Sequence, residues 1–521
     1  MLKRSRALAV WQRLTRQPAL LSITVFLVGL AVYVPTLAPS LLWGGGDFAA
    51  IQARIALLTI DPDLFGHPLY TVAAHPFTWL PIGDVAYRAN LSAAVFSALA
   101  LAVLFRLIAE AVASTKAALL ATLVLLVSHT FWTYAVMPKS YSLNSLLLVM
   151  VLYLLLRSGR TGHDRLLVTA GGILGLASLS HTYFMLFPLG PLTYIYLRGP
   201  SRRRHSLLLF ALVYIASLVP FVVLTLLGGE ASATGAYSLG FAGNLLQVFI
   251  QPAYWPTGLI VFVGALVYQF PLTWVMGLIG LPVLWRRNRP FFWLLLLTYL
   301  ADVAFTWSWL PATPRLSDYV QNFHFYLPSY VIFAVWMGYG FDAVLRRRVW
   351  SAVAQAGLAL IVALSPIALY VAAPHVADPI MTTLNIRSLP GRDAARYLFS
   401  PWKHREDGAR RLGESILAAL PKKAVLVADW SIYSIVFFLQ SVERRRPDVA
   451  LILLDVEHQD ETLDQLDPTR PLFIPDIGRY YDLQLIRKWY SVVPDGPIYR
   501  LVPHAGSSLP HVRPTGMETP S

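Results

Sequence analysis

The chain of 521 residues is 56% hydrophobic and only 13% charged, with a mean hydropathy of +0.56, a balance that excludes an ordinary soluble globular protein. Its net charge of +14 does not indicate a nucleic-acid binder, because the basic residues sit in short clusters between apolar runs and not on one soluble face. There is no cysteine, so disulfides, thiolate catalysis and zinc-thiolate sites are excluded and compartment cannot be read from redox chemistry.

Residues 1–18 are basic (Lys3, Arg4, Arg6, Arg13, Arg16) and precede an apolar run near 19–38 that ends in Pro35 and Pro39. No small-residue cleavage pattern follows, so the run is expected to be an uncleaved anchor. Counting runs of ~17–25 apolar residues as spans, further spans are expected near 91–112, 117–136, 141–157, 165–181, 182–198, 206–228, 257–284, 291–310, 326–345 and 350–373. The total is about eleven, with the fifth and sixth short. Alternate connections carry Lys116, then Arg157, Arg160 and Arg165, then Arg198 and Arg202 to Arg204, then Arg286, Arg287 and Arg289, then Arg346 to Arg348. The other face has only Arg54, Arg88, Lys139 and Arg315 in its loops. Positive residues collect on the cytoplasmic side, which predicts a multi-pass cell-membrane protein with a cytoplasmic N-terminus. The loop 43–90, the loop 229–256 and everything after residue 373 then lie outside the cytoplasm.

The loop 43–90 concentrates reactive side chains at the membrane surface. Gly44, Gly45 and Gly46 lead into Asp47, and a helical apolar pattern follows at once (Phe48, Ile51, Ile55, Leu58). Asp61, Asp63, His67 and His75 come next among prolines, then Arg88 and Asn90 where the chain re-enters the membrane. Simpler roles are open to each. Asp47 can cap the helix that it precedes, Arg88 and Asn90 can anchor a span at the headgroups, and Asp61 and Asp63 can be turn acids. His67, His75, His129 and His181 can be structural hydrogen-bonding groups. Trp79, Trp132, Trp255, Trp307 and Trp309 fit an interfacial belt, and Asp302, inside a span, is expected to pair within the helix bundle. The spacing of Asp61, Asp63, His67 and His75 matches no metal motif, and no metal is expected.

From about residue 374 the composition changes. The segment 407–420 reads as an amphipathic helix, 424–429 as a buried strand, 431–442 as a helix, 449–455 as a second strand and 471–476 as a third. This alternation predicts a small α/β domain with parallel pairing. The expected organisation is a transmembrane module over 1–373, an extracytoplasmic α/β domain over 374–505 and a disordered tail over 506–521. The strand-to-helix junction VADWS lacks the glycine spacing of a dinucleotide site.

Several phrases occur in a shared order: GGGDFAA (44–50), FGHPLY (65–70), LPIGDVAYRANLSA (80–93), FWTYAVMPKSYSLN (131–144), GLASLSHTYFMLFP (175–188), FHFYLPSY (323–330), and in the tail LPKKAVLVADWS and FLQSVERRRPDVALI. Through them the chain resembles membrane glycosyltransferases of the GT-C superfamily. It is most similar to a family once known only as a domain of unknown function, which includes a eukaryotic membrane protein O-mannosyltransferase. It departs from that family in three places. Gly44 to Asp47 stand where the family has Asp-Ser-Gly-Glu, Asp63 to Leu69 where it has a His-Pro-Pro-Gly-Tyr-Pro-Leu run, and Lys139, Ser140 and Tyr141 where it has Glu-Val-Tyr, reversing a charge.

The resemblance implies a polytopic α-helical fold and transfer of a sugar such as mannose from a polyprenyl-phosphate donor to an acceptor hydroxyl on a protein, lipid or glycan, at the extracytoplasmic face. One inverting step needs a carboxylate to accept the hydroxyl proton and positive groups to hold the departing phosphate. Asp47 is the candidate base, and Arg88, Lys139, Arg315 and His324 are candidate phosphate partners. His67, Asn90, Tyr141 and His181 complete the candidate substrate-binding set. No cofactor and no nucleic-acid partner are expected; the partners are the lipid-linked donor, the acceptor and membrane lipids. The alternatives are a non-catalytic membrane protein that binds sugar or lipid, and a lipid-linked sugar transporter. A transporter would be expected to carry charges at mid-span and helices broken in matching halves, whereas here most charges lie at span ends.

Overall fold

Among the described residues, seven helices are long and apolar enough to cross a membrane: Ala19–Thr36, Val85–Val112, Tyr141–Thr161, Arg204–Leu227, Arg289–Ser308, Phe323–Arg346 and Val353–Val376. Two more candidates are bent pairs, Thr115–Leu126 with His129–Ala135 at 69°, and Trp255–Gln269 with Trp274–Arg287 at 104°. The computed structural model describes residues 18–43, 48–60, 67–198, 203–227, 254–310, 315, 317–318, 322–347, 351–384, 389–467, 469–478 and 480–504.

The nine candidates fall short of the expected eleven because of the runs near 165–181 and 182–198. The first becomes the 14-residue helix Asp164–Ala177, about 21 Å long. The second becomes a 3-10 turn, Thr182–Met185, followed by the nine-residue helix Leu189–Leu197. Between them the chain leaves helical geometry at His181 (φ −165°, ψ 138°), and the Leu179 carbonyl accepts from the Leu69 N–H at 3.2 Å. Apolar sequence at this point serves a loop that turns aside to meet residues 67–69.

The long helices start at polar caps. Asp84 accepts from the Tyr87 N–H at 2.6 Å, Asn288 from Phe291 at 3.2 Å and Ser351 from Ala354 at 3.1 Å, each satisfying an orphan donor of the first turn. At the far end of Val85–Val112, Tyr153 donates to Glu110 at 2.6 Å and Arg106 lies 3.4 Å from the same oxygen. Arg287 and Arg346 converge on buried Asp342 at 2.6 and 2.8 Å. Asp302 does pair inside the bundle, accepting from the Ser329 N–H at 3.0 Å and its hydroxyl at 2.6 Å.

The C-terminal region carries a five-stranded sheet in the order β2-β1-β3-β5-β4, with β1 Val425–Ala428, β2 Ala450–Leu453, β3 Leu472–Ile474, β4 Tyr490–Asp495 and β5 Ile498–Pro503. β1 pairs in parallel with β2 and β3, as the strand and helix alternation predicts. The antiparallel hairpin of β4 and β5 was not expected. The tail 505–521 lies outside the described residues.

Helix Phe48–Leu57 of the first loop joins the two parts. Ala49 and Ala53, one turn apart, pack with Ile416, Leu417, Ile435 and Leu439 of the C-terminal domain. Ile51 and Ile55, on another face, pack with Tyr70, Ala74, Ala89 and Leu143. A second set of contacts comes from residues 397–403. Lys403 N–H donates to the Thr36 carbonyl at 2.9 Å, Tyr268 to the Phe399 carbonyl at 2.8 Å and Ser400 to the Tyr370 carbonyl at 3.1 Å. The first loop and the C-terminal domain therefore pack together at one end of the helix bundle.

Candidate active site

Five of the candidate residues, separated in the chain by as much as 257 positions (67 to 324), meet at one place. His67 is the residue before helix Pro68–Ala74 and adopts left-handed geometry (φ 50°, ψ 66°), which lets Pro68 open the helix while the imidazole turns inward. Its Nδ1 lies 2.8 Å from the Ser180 carbonyl, and its ring stacks on His181 at 5.6 Å between centroids. His181 in turn stacks on Tyr183 at 4.1 Å and meets Tyr141 at 5.7 Å. Tyr141 opens helix Tyr141–Thr161 and meets His324, on the 3-10 turn Phe323–Tyr326, at 5.3 Å.

Lys139 follows Pro138 in the short link between helices His129–Ala135 and Tyr141–Thr161. Its ammonium lies 5.8 Å from the centroid of Tyr141 and 5.8 Å from that of Phe48, the first described residue of the first-loop helix. Tyr134 closes the wall, 6.5 Å from Phe48 and 5.7 Å from His324. A partly buried cation thus sits among aromatic faces and imidazoles, where an anionic group would be held more strongly than at an open surface. The same surroundings act on His67: burial pushes its pKa down to about 3, helped by the positive charges of Lys139 and Arg54. His67 is therefore neutral at physiological pH, and a neutral imidazole whose Nδ1 carries the proton donates to the Ser180 carbonyl.

The other candidates are placed differently. Asn90 is fully buried and accepts from Gln52 Nε2 at 2.8 Å while donating to the Ala38 and Ser40 carbonyls at 2.9 and 3.1 Å. It ties the end of the first span, the first-loop helix and the start of helix Val85–Val112 together. Arg88 donates to the carbonyls of Asp84 and Thr78 within its own turn and the preceding one. Arg315 is exposed, and its backbone N–H donates to Asp318 at 2.7 Å. Asp47 lies outside the described residues, as do Asp61 and Asp63. His75 Nδ1 lies 2.7 Å from the Ile55 carbonyl, away from the Lys139 group. Among the described residues no three carboxylate or imidazole side chains are placed to hold a metal ion.

The residues that sequence reasoning missed here are the aromatic walls, Tyr134, Tyr183, Phe305 and Phe325, all within 6.5 Å of a candidate residue or of Phe48. Three of them carried a signal: the phrases FWTYAV, SHTYF and FHFY bring Tyr134, Tyr183 and Phe325 into the lining, whereas Phe305 belongs to none of them.

Comparison with known proteins agrees with this architecture. Residues 62–204 match the model of the Protein O-mannosyl-transferase TMEM260 N-terminal domain. Over 211 residues the chain is 30% identical to Protein O-mannosyl-transferase TMEM260 of Mus musculus, covering 39% of this chain and 30% of that protein. The chain thus spans less than a third of that relative's length. The whole fold is similar to the crystal structure of ArnT from Cupriavidus metallidurans bound to undecaprenyl phosphate, with a TM-score of 0.56 and 13% identity over 93% of this chain and 98% of the other. The apo state of the same protein gives a TM-score of 0.53 with 14% identity, covering 92% of this chain and 97% of that one. The resemblance drawn from the motifs, the polytopic GT-C-like fold and the small C-terminal sheet domain are all borne out.

Proposed function

We propose that this protein is a membrane glycosyltransferase that moves a sugar, with mannose the first candidate, from a polyprenyl-phosphate donor to a polypeptide hydroxyl at the extracytoplasmic face. The observation that carries the reading is Lys139, a cation held between Phe48 and Tyr141 beside His67, His181 and His324. The TMEM260 relative supplies the protein acceptor and the mannose, and ArnT, bound to undecaprenyl phosphate, the lipid carrier. The positive clusters at the ends of the spans remote from the first loop support the sidedness.

Asp47 is bonded to Phe48 and is the general base of this reading. Its carboxylate takes the proton from the acceptor hydroxyl as that oxygen bonds to the anomeric carbon. The bond from the anomeric carbon to the phosphate oxygen breaks, and the electron pair leaves on the phosphate, with inversion at the sugar. Lys139 stabilises the charge that grows on the departing phosphate, and the hydroxyl of Tyr141 can donate a second hydrogen bond to it. The neutral imidazole of His67 positions Ser180 and the wall beside it and takes no proton in the step.

Radiolabelled polyprenyl-phosphate mannose and acceptor peptide, supplied to the purified protein in proteoliposomes, test the reading. Asp47→Asn should abolish nearly all transfer with normal folding, because the amide caps a helix as well as the acid does but accepts no proton. Lys139→Met removes a charge-assisted phosphate contact worth about 1.5–3 kcal/mol, so donor use should fall roughly ten- to a hundred-fold. Transfer within a few-fold of wild type in Asp47→Asn, or equal activity with a soluble nucleotide sugar as sole donor, overturns the proposal.

A further inference from the structure

A cavity of about 260 Å³ opens between the first-loop helix Phe48–Leu57 and helix Trp430–Ser441 of the C-terminal domain. Its walls include Ala50, Arg54, Leu57, Trp430, Tyr433 and Phe437. Helix Trp430–Ser441 has two apolar stripes. Ile432, Ile435, Val436 and Leu439 are buried in the domain core, as an amphipathic helix requires. Trp430, Tyr433 and Phe437 form the other stripe and face the cavity, their rings parallel within 12° and 10° at centroid spacings of 6.1 and 5.9 Å. Trp430 is 39% exposed. An aromatic stripe at helical spacing ordinarily belongs to a core; this one lines an opening, and an apolar surface left open beside a reactive site marks a place where something binds.

The chemistry of the lining selects the occupant. Among the described residues its polar groups are those of Arg54, Thr59 and Ser434, the Tyr433 hydroxyl and the Trp430 indole N–H, and the Ser434 hydroxyl is already committed to the Trp430 carbonyl at 2.7 Å. Among the described residues no carboxylate or carboxamide lines the cavity to pair with the hydroxyls of a saccharide. An apolar or aromatic side chain suits such a pocket. Position supplies the second argument. Phe48, at one end of the same helix, lies against Lys139, and Arg54 and Leu57 are about 9 and 13 Å further along its axis. An extended polypeptide covers that distance in about three to four residues.

We propose that this cleft is a specificity pocket for the acceptor: it takes a bulky apolar side chain of the acceptor polypeptide three to four residues from the hydroxyl placed at the Lys139 site. The proposal rests on the reading of that site as the place of transfer, so binding and transfer are measured separately. The protein in nanodiscs, without donor, is titrated with fluorescent peptides that carry one threonine and either phenylalanine or glycine three or four positions away. The phenylalanine peptide should bind at least ten-fold more tightly, and Trp430→Ala and Tyr433→Ser should each remove most of that advantage while leaving the glycine peptide unchanged. Equal affinity for the two peptides, equal loss for both in the variants, or displacement of the phenylalanine peptide by an oligosaccharide overturns the pocket. Selective binding without any transfer from polyprenyl-phosphate mannose counts against the donor reading and leaves the pocket standing.

Discussion

At the scale of single residues, His67 joins geometry to a measurable pH effect. Its left-handed backbone is uncommon outside glycine, although histidine adopts it more often than most residues, as asparagine and aspartate do, and here the imidazole is fixed by the Ser180 carbonyl and the His181 ring. The folded-state pKa of about 3 lies below the ordinary imidazole value, so as pH falls the unfolded chain takes up the proton first. The stability that His67 contributes is therefore complete above about pH 6.5 and is lost progressively as pH falls towards 3. His67→Asn keeps a residue that tolerates the left-handed backbone and removes the titration. The drop in apparent Tm between about pH 7.5 and pH 5 should then be smaller in the variant than in wild type. Parallel Tm curves for the two proteins would show that His67 is not held neutral by the fold.

At the scale of elements, the tightest packing lies between helices Trp274–Arg287 and Leu327–Arg347. A Cβ on Gly340 would sit 1.9 Å from the Met276 carbonyl oxygen, and one on Gly280 would sit 1.8 Å from that of Trp336. The backbones touch there, as small residues allow in a membrane. Gly340→Ala should cost about 1–3 kcal/mol of overpacking strain. Gly264→Ala, where a Cβ meets nothing within 4 Å, should be neutral or stabilising by up to about 1 kcal/mol. Thermal unfolding in detergent distinguishes the two, and equal Tm values would contradict the close approach.

The same elements show what the sequence made legible. Long apolar runs and their basic ends are local signals, and so is the alternation of strand and helix after residue 374. The breaks at Val127–Ser128 and at 270–273 were not legible, because apolar sequence continues on both sides of each. What holds them is tertiary: Gln269 accepts from the Thr130 N–H at 2.7 Å and donates to its hydroxyl at 2.6 Å, so one broken helix caps the start of the other. The β4–β5 hairpin did have a signal, Asp495-Gly496 between alternating apolar residues, with Gly496 at φ 63°, and it was overlooked. Of the site, the imidazoles, Lys139 and Tyr141 were legible from their motifs. Asn90 was legible as a polar residue where the chain enters the membrane, but its buried partners, Gln52 and the Ala38 and Ser40 carbonyls, depend on how the first loop folds back.

At the scale of the whole molecule, Arg410 holds the C-terminal domain to the membrane module. Its guanidinium donates to Asp84 at 2.9 Å and also reaches the Ser40 hydroxyl, while Glu443 and Glu414 bind it from within its own domain. Asp84 caps helix Val85–Val112, so one carboxylate both starts a span and anchors the domain. Arg410 is mostly buried, and the carboxylates around it hold its pKa above the usual arginine value. Arg410→Met keeps the aliphatic packing but takes away the cation between Asp84 and Glu443, leaving Glu443, among the described residues, only Arg445 at 3.1 Å, and removing one partner of a buried pair costs up to about 3–5 kcal/mol. Helix Phe48–Leu57 is clamped between domain and spans, and its first residue touches Lys139, so loosening the dock reaches the site through one rigid element. Hydrogen exchange on Arg410→Met in nanodiscs should show faster exchange at 48–57 and 397–411, with β1 and the core of helix Val85–Val112 as protected as in wild type. Transfer should fall together with that protection. Unchanged exchange at 48–57 with full activity would mean that the contacts of residues 397–403 hold the domain in place without Arg410.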